Sequence, residues 1–362
     1  MTSSVTSPQP IHGLTNDELW SRAKACLPRG HGVARRLHRR VMCEGEFDPA
    51  ALGVGPRACD AWRTHFAFEL PEVVAVHSDE GVHGTTSKVV LRLHDGLEIE
   101  TVRIPMGRAR YTLCVSSQVG CKMGCEFCET GRMGLLRHLS TDEIIAQLLV
   151  ARHRLGWTVR NIVFMGMGEA LDNADNVIAA LRVLNDPAGL SIAQERITVC
   201  TVGGVAGIER LQSEGLRRLN LSISLNAAND TLRSRIMPIN RRDDLATLQR
   251  ALMSYRPRPN FALGVNYCLL PGVNDTRQDV RDIAAFCEPL GRVLVNVIPY
   301  NPGRAPMTRA PVDAEVDRFI EWLRTEGLPV RQRVTKGRSV MAACGQLGDP
   351  DARAKRRLRA VR

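Results

Sequence analysis

From residue 110 onward the chain alternates apolar strand and amphipathic helix six times, and no other feature narrows the possible folds so far. Runs of apolar and β-branched residues predict strands at about 112–117, 161–166, 196–201, 218–225, 262–270 and 292–298. Helical periodicity fills the gaps between and after them, around 141–155, 174–185, 205–214, 243–255, 276–287 and 312–326. Ser140 to Glu143 has the spacing of a capping box and marks the start of the first helix. Strand–helix units in series require parallel strands joined by crossover helices, either as a doubly wound sheet or as a partial barrel. In both, the loops at the carboxyl ends of the strands carry function.

The segments before residue 110 differ in character. Residues 1–10 read as a disordered tail and 11–70 as a small helical module, with Leu19, Trp20, Ala23 and Leu27 on one face of its first helix. Asn16 or Asp17 is placed to cap that helix, and Pro28 to help end it. Residues 71–109 are a β-rich connector, in which KVVLRLH and LEIETVRI flank Asp95-Gly96 as the two arms of a hairpin. The βα series occupies 110–350 and a basic tail 351–362.

Composition excludes several classes. No apolar run approaches the ~18–20 residues that span a bilayer. The opening MTSSVTSPQP has neither the basic start nor the apolar core of a secretory signal, so a cytoplasmic protein is expected, with a monomer as the default since the sequence does not reveal the oligomeric state. Eleven cysteines in a cytosolic chain point to metal binding or thiol chemistry rather than disulfides. The net charge of +11 favours polyanionic partners, with clusters at Arg35, Arg36, His38, Arg39 and Arg40 and at Lys355, Arg356, Arg357, Arg359 and Arg362.

Cys121, Cys125 and Cys128 form C-x3-C-x2-C in the loop after the first strand of the series. Thiolates hold iron–sulfur clusters, usually four to a cluster, so three leave one iron open. Zinc would want a fourth ligand nearby, and the nearest downstream histidine, His138, is ten residues on. Gly166-Met167-Gly168-Glu169 follows the second strand, where glycines allow close backbone approach and Glu169 offers a carboxylate to an ammonium. Strand alternation puts Thr112, Cys114 and Ser116 on one face.

This cysteine spacing ahead of serial βα units resembles the radical S-adenosylmethionine (SAM) superfamily. The stretches Cys114-Val115-Ser116-Ser117-Gln118-Val119-Gly120-Cys121, FMGMGEALDN at 164–173 and AACGQL at 342–347 make the chain similar to the RlmN/Cfr family of RNA adenine methyltransferases. The resemblance runs from about residue 70 to 350, and more weakly into the helical module. It implies an α/β fold: a partial (β/α)6 radical SAM barrel over 110–350, with the module at 11–70 binding RNA. It implies one [4Fe-4S] cluster on Cys121, Cys125 and Cys128, two SAM molecules per turnover, and an electron donor such as flavodoxin or ferredoxin. Gly168, Glu169, Cys200, Ser224, Leu225, Asn226 and Asn301 match SAM-contacting positions, although Cys200 falls where relatives usually have serine.

In the family, the cysteine matching Cys344 carries the methyl group as S-methylcysteine. A methylene radical formed on it adds to an adenine ring carbon, C2 or C8, of ribosomal RNA, with transfer RNA a further candidate. Glu100 matches the proton acceptor. Cys114 matches the cysteine that resolves the protein–RNA adduct through a transient disulfide with Cys344. Two places depart from the family pattern: Arg338-Ser339-Val340-Met341 replaces acidic residues ahead of Cys344, and Asn226 stands where histidine is usual. Two other readings stay open, a radical SAM C-methyltransferase of a peptide or small molecule and a non-catalytic iron–sulfur RNA-binding protein.

Overall fold

The computed structural model describes residues 7–82, 84–349 and 351–352. The basic cluster at 355–362 lies outside them. Internal contacts divide the chain into two compact units. One runs to Glu72 and includes 140–159 and 175–193; the other holds 73–139, 160–174 and the chain from Gln194 on.

The first unit is helical, with helices at Asn16–Cys26, Ala34–Glu44, Pro56–His65 and Thr141–Leu149. Thr15, not Asn16 or Asp17, caps the first. Its hydroxyl accepts from the Glu18 amide while the Glu18 carboxylate accepts from the Thr15 amide, so two orphan N–H groups are satisfied at once. Leu19, Ala23, Leu37, Val41 and Trp62 share one core. Trp20 is exposed instead, with the Lys24 ammonium 5.1 Å from its ring. The basic run at 35–40 is not a uniform charged face. His38 is fully buried and bonds the Leu14 carbonyl at 2.9 Å, and Arg40 pairs with Glu44 and Glu46.

The second unit is built on one ten-stranded sheet. Its strands are β1 (Glu72–Asp79), β2 (Thr86–Arg92), β3 (Glu98–Pro105), β4 (Tyr111–Val115), β5 (Asn161–Phe164), β6 (Ile197–Thr201), β7 (Asn220–Ser224), β8 (Leu263–Leu269), β9 (Val293–Pro299) and β10 (Val330–Gln332). β2, β3 and β4 run antiparallel, the first two joined by the hairpin at Asp95-Gly96. From β4 to β10 every pairing is parallel.

Each strand lies beside its predecessor, with no reversal of order. A doubly wound sheet must reverse at its switch point. Steady progression with right-handed crossovers puts the helices on one face and wraps the sheet around the other, the partial-barrel solution. The two faces are chemically distinct. Val199, Leu221, Ile223, Val265, Tyr267, Val295 and Val297 alternate along one and are buried almost completely. Register places Cys114, Thr198, Cys200, Ser222, Ser224, Asn266 and Asn296 on the other. A filled barrel carries Val, Ile and Leu inside. This one keeps its apolar face under the helices and its polar face around an open interior.

Candidate active site

The cysteine loop leaves the barrel at the carboxyl end of β4. A two-residue ladder, Gln118–Val119 against Arg137–His138, closes its base. Gly120 has φ 75°, and a Cβ there would collide with the Gly134 carbonyl, so only glycine fits. Cys121, Cys125 and Cys128 all line one cavity of about 1010 Å³, counted to its open mouth. Burial pushes all three thiols up, Cys121 to about 12. Among the described residues no three Cys, His, Asp or Glu side chains close around a single ion, as a zinc site would need. His138 is exposed and bonds Gln118. A cluster asks less, because each thiolate meets a different iron and the sulfurs need only face one space.

The far wall of the cavity comes from the next strands. A Cβ on Gly166 would lie 2.7 Å from the Val115 carbonyl, and one on Gly168 (φ 99°) 2.6 Å from the Gln118 side chain. The backbone therefore passes close under the cavity at both glycines. Glu169 follows, buried, its carboxylate accepting from the amides of Leu171 (3.1 Å) and Val202 (2.9 Å). Burial raises its pKa above the ordinary carboxylate value. Among the described residues, two buried polar atoms on the inward face, Ser222 Oγ and Asn266 Nδ2, have no hydrogen-bond partner, and Asn266 lines the cavity. Beside Cys125 sits the buried Arg233 guanidinium, which donates to Leu225 O (3.1 Å), Val202 O (2.6 Å) and Asn240 Oδ1 (2.8 Å). Three sulfurs facing one space, a buried cation beside them, close-passing glycines and an unpartnered amide form a donor set that fits an iron–sulfur cluster and a polar cofactor on its open iron.

The carboxyl-terminal loop carrying Cys344 is tied to this wall. Glu129 N donates to Gly345 O (2.8 Å), Thr130 Oγ1 to Leu347 O (2.6 Å) and Gln346 Nε2 to Pro302 O (2.8 Å). Cys344 lines the cavity, with its sulfur 3.8 Å from the Met165 thioether. Cys114 meets the backbone of the same Met165, and the charges of Cys344 and Cys200 act on it. Both thiols are free. Burial drives Cys114 well above the usual thiol value.

Cys114 pairs with Val102 across β3, which puts Glu100, two residues earlier, on the same face. The Glu100 carboxylate binds Lys88 Nζ at 3.0 Å through one oxygen and accepts from Gly348 N at 2.9 Å through the other. Lys88 also donates to Met341 O at 3.2 Å. The Cys344 loop is thus held between two charges of the sheet.

The chain is similar to known proteins. The radical SAM superfamily matches residues 115–287. The dual-specificity RNA methyltransferase RlmN of Syntrophotalea carbinolica is 43% identical over 263 residues, 72% of this chain and 69% of its own. A protein of Moorella thermoacetica named "Probable dual-specificity RNA methyltransferase RlmN" is 41% identical over 338 residues, 91% of this chain and 94% of its own. The chain belongs to the RlmN/Cfr family. A radical SAM methyltransferase from Sphaerobacter thermophilus shares the fold with a TM-score of 0.85 and 35% identity, covering 94% of this chain and 99% of its own.

Not all of the positions matched to the RlmN/Cfr pattern line the cavity. Gly168, Glu169, Cys200, Ser224, Asn226 and Cys344 line the cavity with the three loop cysteines. Glu100 and Cys114 border it through the contacts above. Leu225 is fully buried in the fold, and Asn301 holds Cys344 O through its amide at 3.5 Å. Cys268, a cysteine outside the matched motifs, also lines the cavity, and Cys344 and Cys128 act on its thiol.

Both departures from the family pattern have a structural account. Asn226 has φ 57°, where asparagine is among the best-tolerated residues, and its Oδ1 accepts from Cys268 N at 2.8 Å. Arg338 donates to Asn301 Oδ1 at 3.0 and 3.1 Å, bracing the residue that holds Cys344. Lys88 and Gln118 escaped sequence reasoning. Gln118 Oε1 accepts from Glu169 N while its Nε2 donates to Asp172. A lysine within the apolar strand KVVLRLH was the one available sign of the first.

Proposed function

We propose that this protein methylates an adenine ring carbon, C2 or C8, in ribosomal or transfer RNA. The observation that carries the reading is that Cys344 and the three loop cysteines line one cavity, with Cys114 on the strand beside it and within electrostatic reach of Cys344. The relatives named RNA methyltransferases support RNA as the substrate class. Cys121, Cys125 and Cys128 would hold a [4Fe-4S] cluster, and Gly166 to Glu169, Ser224 and Asn226 would hold SAM. Bound there, the pair supplies a methyl group and, with an electron from a small carrier protein, a radical.

The chain's own residues do the rest. Cys344 carries the methyl group as S-methylcysteine on a loop that hydrogen bonds keep in place. Its sulfur is the nucleophile that takes the methyl group. Glu100, held by Lys88 and the Gly348 amide, accepts the ring proton. Cys114 then attacks the Cys344 sulfur, releasing RNA and leaving a disulfide that must be reduced. Arg333 lies close enough to favour the Cys114 thiolate.

Among the described residues no helix is long and apolar enough to cross a membrane, and we place the reaction in the cytoplasm. Mass mapping of ribosomal and transfer RNA from cells with and without the gene tests the reading. A C-methylated adenosine present only with the gene is expected. Identical maps would overturn it.

A further inference from the structure

A second opening into the same barrel lies at the amino-terminal ends of its strands, about 1550 Å³ counted to solvent. Six cations line it: Arg108 and Arg110 from the β3–β4 turn, Arg196 just before β6, Arg331 and Arg333 at β10, and Lys336. Among the described residues Arg108, Arg196, Arg331 and Arg333 make no side-chain hydrogen bond or ion pair. Arg110 and Lys336 donate only to the carbonyls of Gly107 and Pro105. Glu195, the carboxylate on this wall, is already paired with Arg218 at 2.6 Å. The turn holds Arg108 and Ala109 at φ 50° and 52°, a conformation that costs roughly 1 kcal/mol or more per residue. A strained turn presenting unpaired arginines is tolerated where a ligand supplies the missing charge.

The thiols stand one inward position further along the strands from this opening. On β4, β6 and β9 the inward residues run Thr112 then Cys114, Thr198 then Cys200, Asn296 then Ile298. The first of each pair lines the basic opening, and Cys200 and Ile298 line the cofactor cavity. Asn296 pairs with Arg331, so Arg331 and Arg333 share that inward face.

We propose that the phosphodiester backbone of the RNA lies across this amino-terminal mouth, and that the target nucleotide enters the barrel there, opposite the cluster loop. The proposal rests on the RNA reading above and adds the substrate's site and direction of entry. Phosphates meet the arginines while the base, turned out of its helix, reaches up to the layer of Cys114 and Cys344. Cofactor and substrate then approach the reacting sulfur from opposite ends and do not compete for one entrance.

The test is the triple variant Arg108→Glu, Arg196→Glu, Arg331→Glu in the cluster-loaded protein. Its control reverses three exposed arginines of the outer helices, Arg250, Arg281 and Arg318. Binding of protein-free ribosomal RNA and of transfer RNA is titrated against salt, with iron content and melting temperature confirming the fold. The triple variant should bind at least tenfold more weakly at low salt, and its slope of log affinity against log salt should shrink by about 2–3, close to one per lost phosphate contact. The control should lose less than half of that. Equal losses in both, or none in the triple variant while the wild type binds, would place the RNA elsewhere and leave the methyltransferase reading intact. A wild type that binds neither RNA at low salt would sink both.

Discussion

The ion pair between Lys88 and Glu100 joins stability to chemistry, so its removal is informative twice. The ammonium is 8% exposed, the carboxylate 14%, and they lie 3.0 Å apart. Deleting one partner of a buried pair costs about 3–5 kcal/mol, because the other charge stays buried alone. Here each survivor keeps one hydrogen bond, Lys88 to Met341 O and Glu100 to Gly348 N. Glu100→Gln and Lys88→Met should therefore each cost about 2.5 kcal/mol, below that range. If independent they would sum to ~5 kcal/mol. In the double variant the introduced amide still accepts from the Gly348 N–H, and the introduced thioether chain fills the lysine's aliphatic volume. It should lose only ~2 kcal/mol, a coupling near 3 kcal/mol and at the upper end for contacting residues. Urea unfolding of the four proteins measures this. Single effects that add to within ~0.5 kcal/mol in the double variant would refute the pairing. The same variants test the proton acceptor. The double variant should regain stability without turnover and accumulate RNA joined to Cys344, whereas wild-type methylation would strip Glu100 of that role.

Two further outcomes follow from burial. Cys114→Ala should trap the protein–RNA adduct. In the wild type, adduct release in single turnover should rise up to about tenfold per pH unit between 7 and 8.5, because burial keeps the Cys114 thiol protonated there; release insensitive to pH would exclude Cys114 as the attacking group. In the helical unit, burial lowers His12 from 6.5 to about 4. The fold then favours the neutral ring, so stability is complete above pH 6.5 and falls by about 3 kcal/mol as pH drops to 4. Hydrogen exchange in the helix Asn16–Cys26 should quicken over that window, and the change should shrink in His12→Leu; an unchanged pH dependence would remove His12 as its source.

Strand positions and the cysteine loop were legible because each is written locally, in β-branched runs and in close spacing. The choice between a doubly wound sheet and a partial barrel was not. Both share the same βα units and differ only in which edge of the sheet receives the next strand, a matter of long-range pairing. The cap of the first helix fell one residue earlier than expected because Thr15 and Glu18 satisfy each other's amides, which Asn16 and Asp17 cannot do from inside the helix. Trp20 sits on the expected stripe yet at its exposed margin, where a cation covers its ring. Lys88 and Cys268 acquire meaning only through register: each stands on an inward face that no single strand reveals. The unpaired arginines at 108, 196, 331 and 333 are scattered along the sequence, and only the barrel gathers them.

Three thiolates holding a cluster would leave one of its irons open to SAM. Anaerobically reconstituted protein should contain four irons per chain. Its reduced form should give an electron paramagnetic resonance signal that changes when SAM is added, with 5′-deoxyadenosine as product, and Cys121→Ala should abolish both. A zinc-only centre, or a cluster whose spectrum ignores SAM, would contradict it.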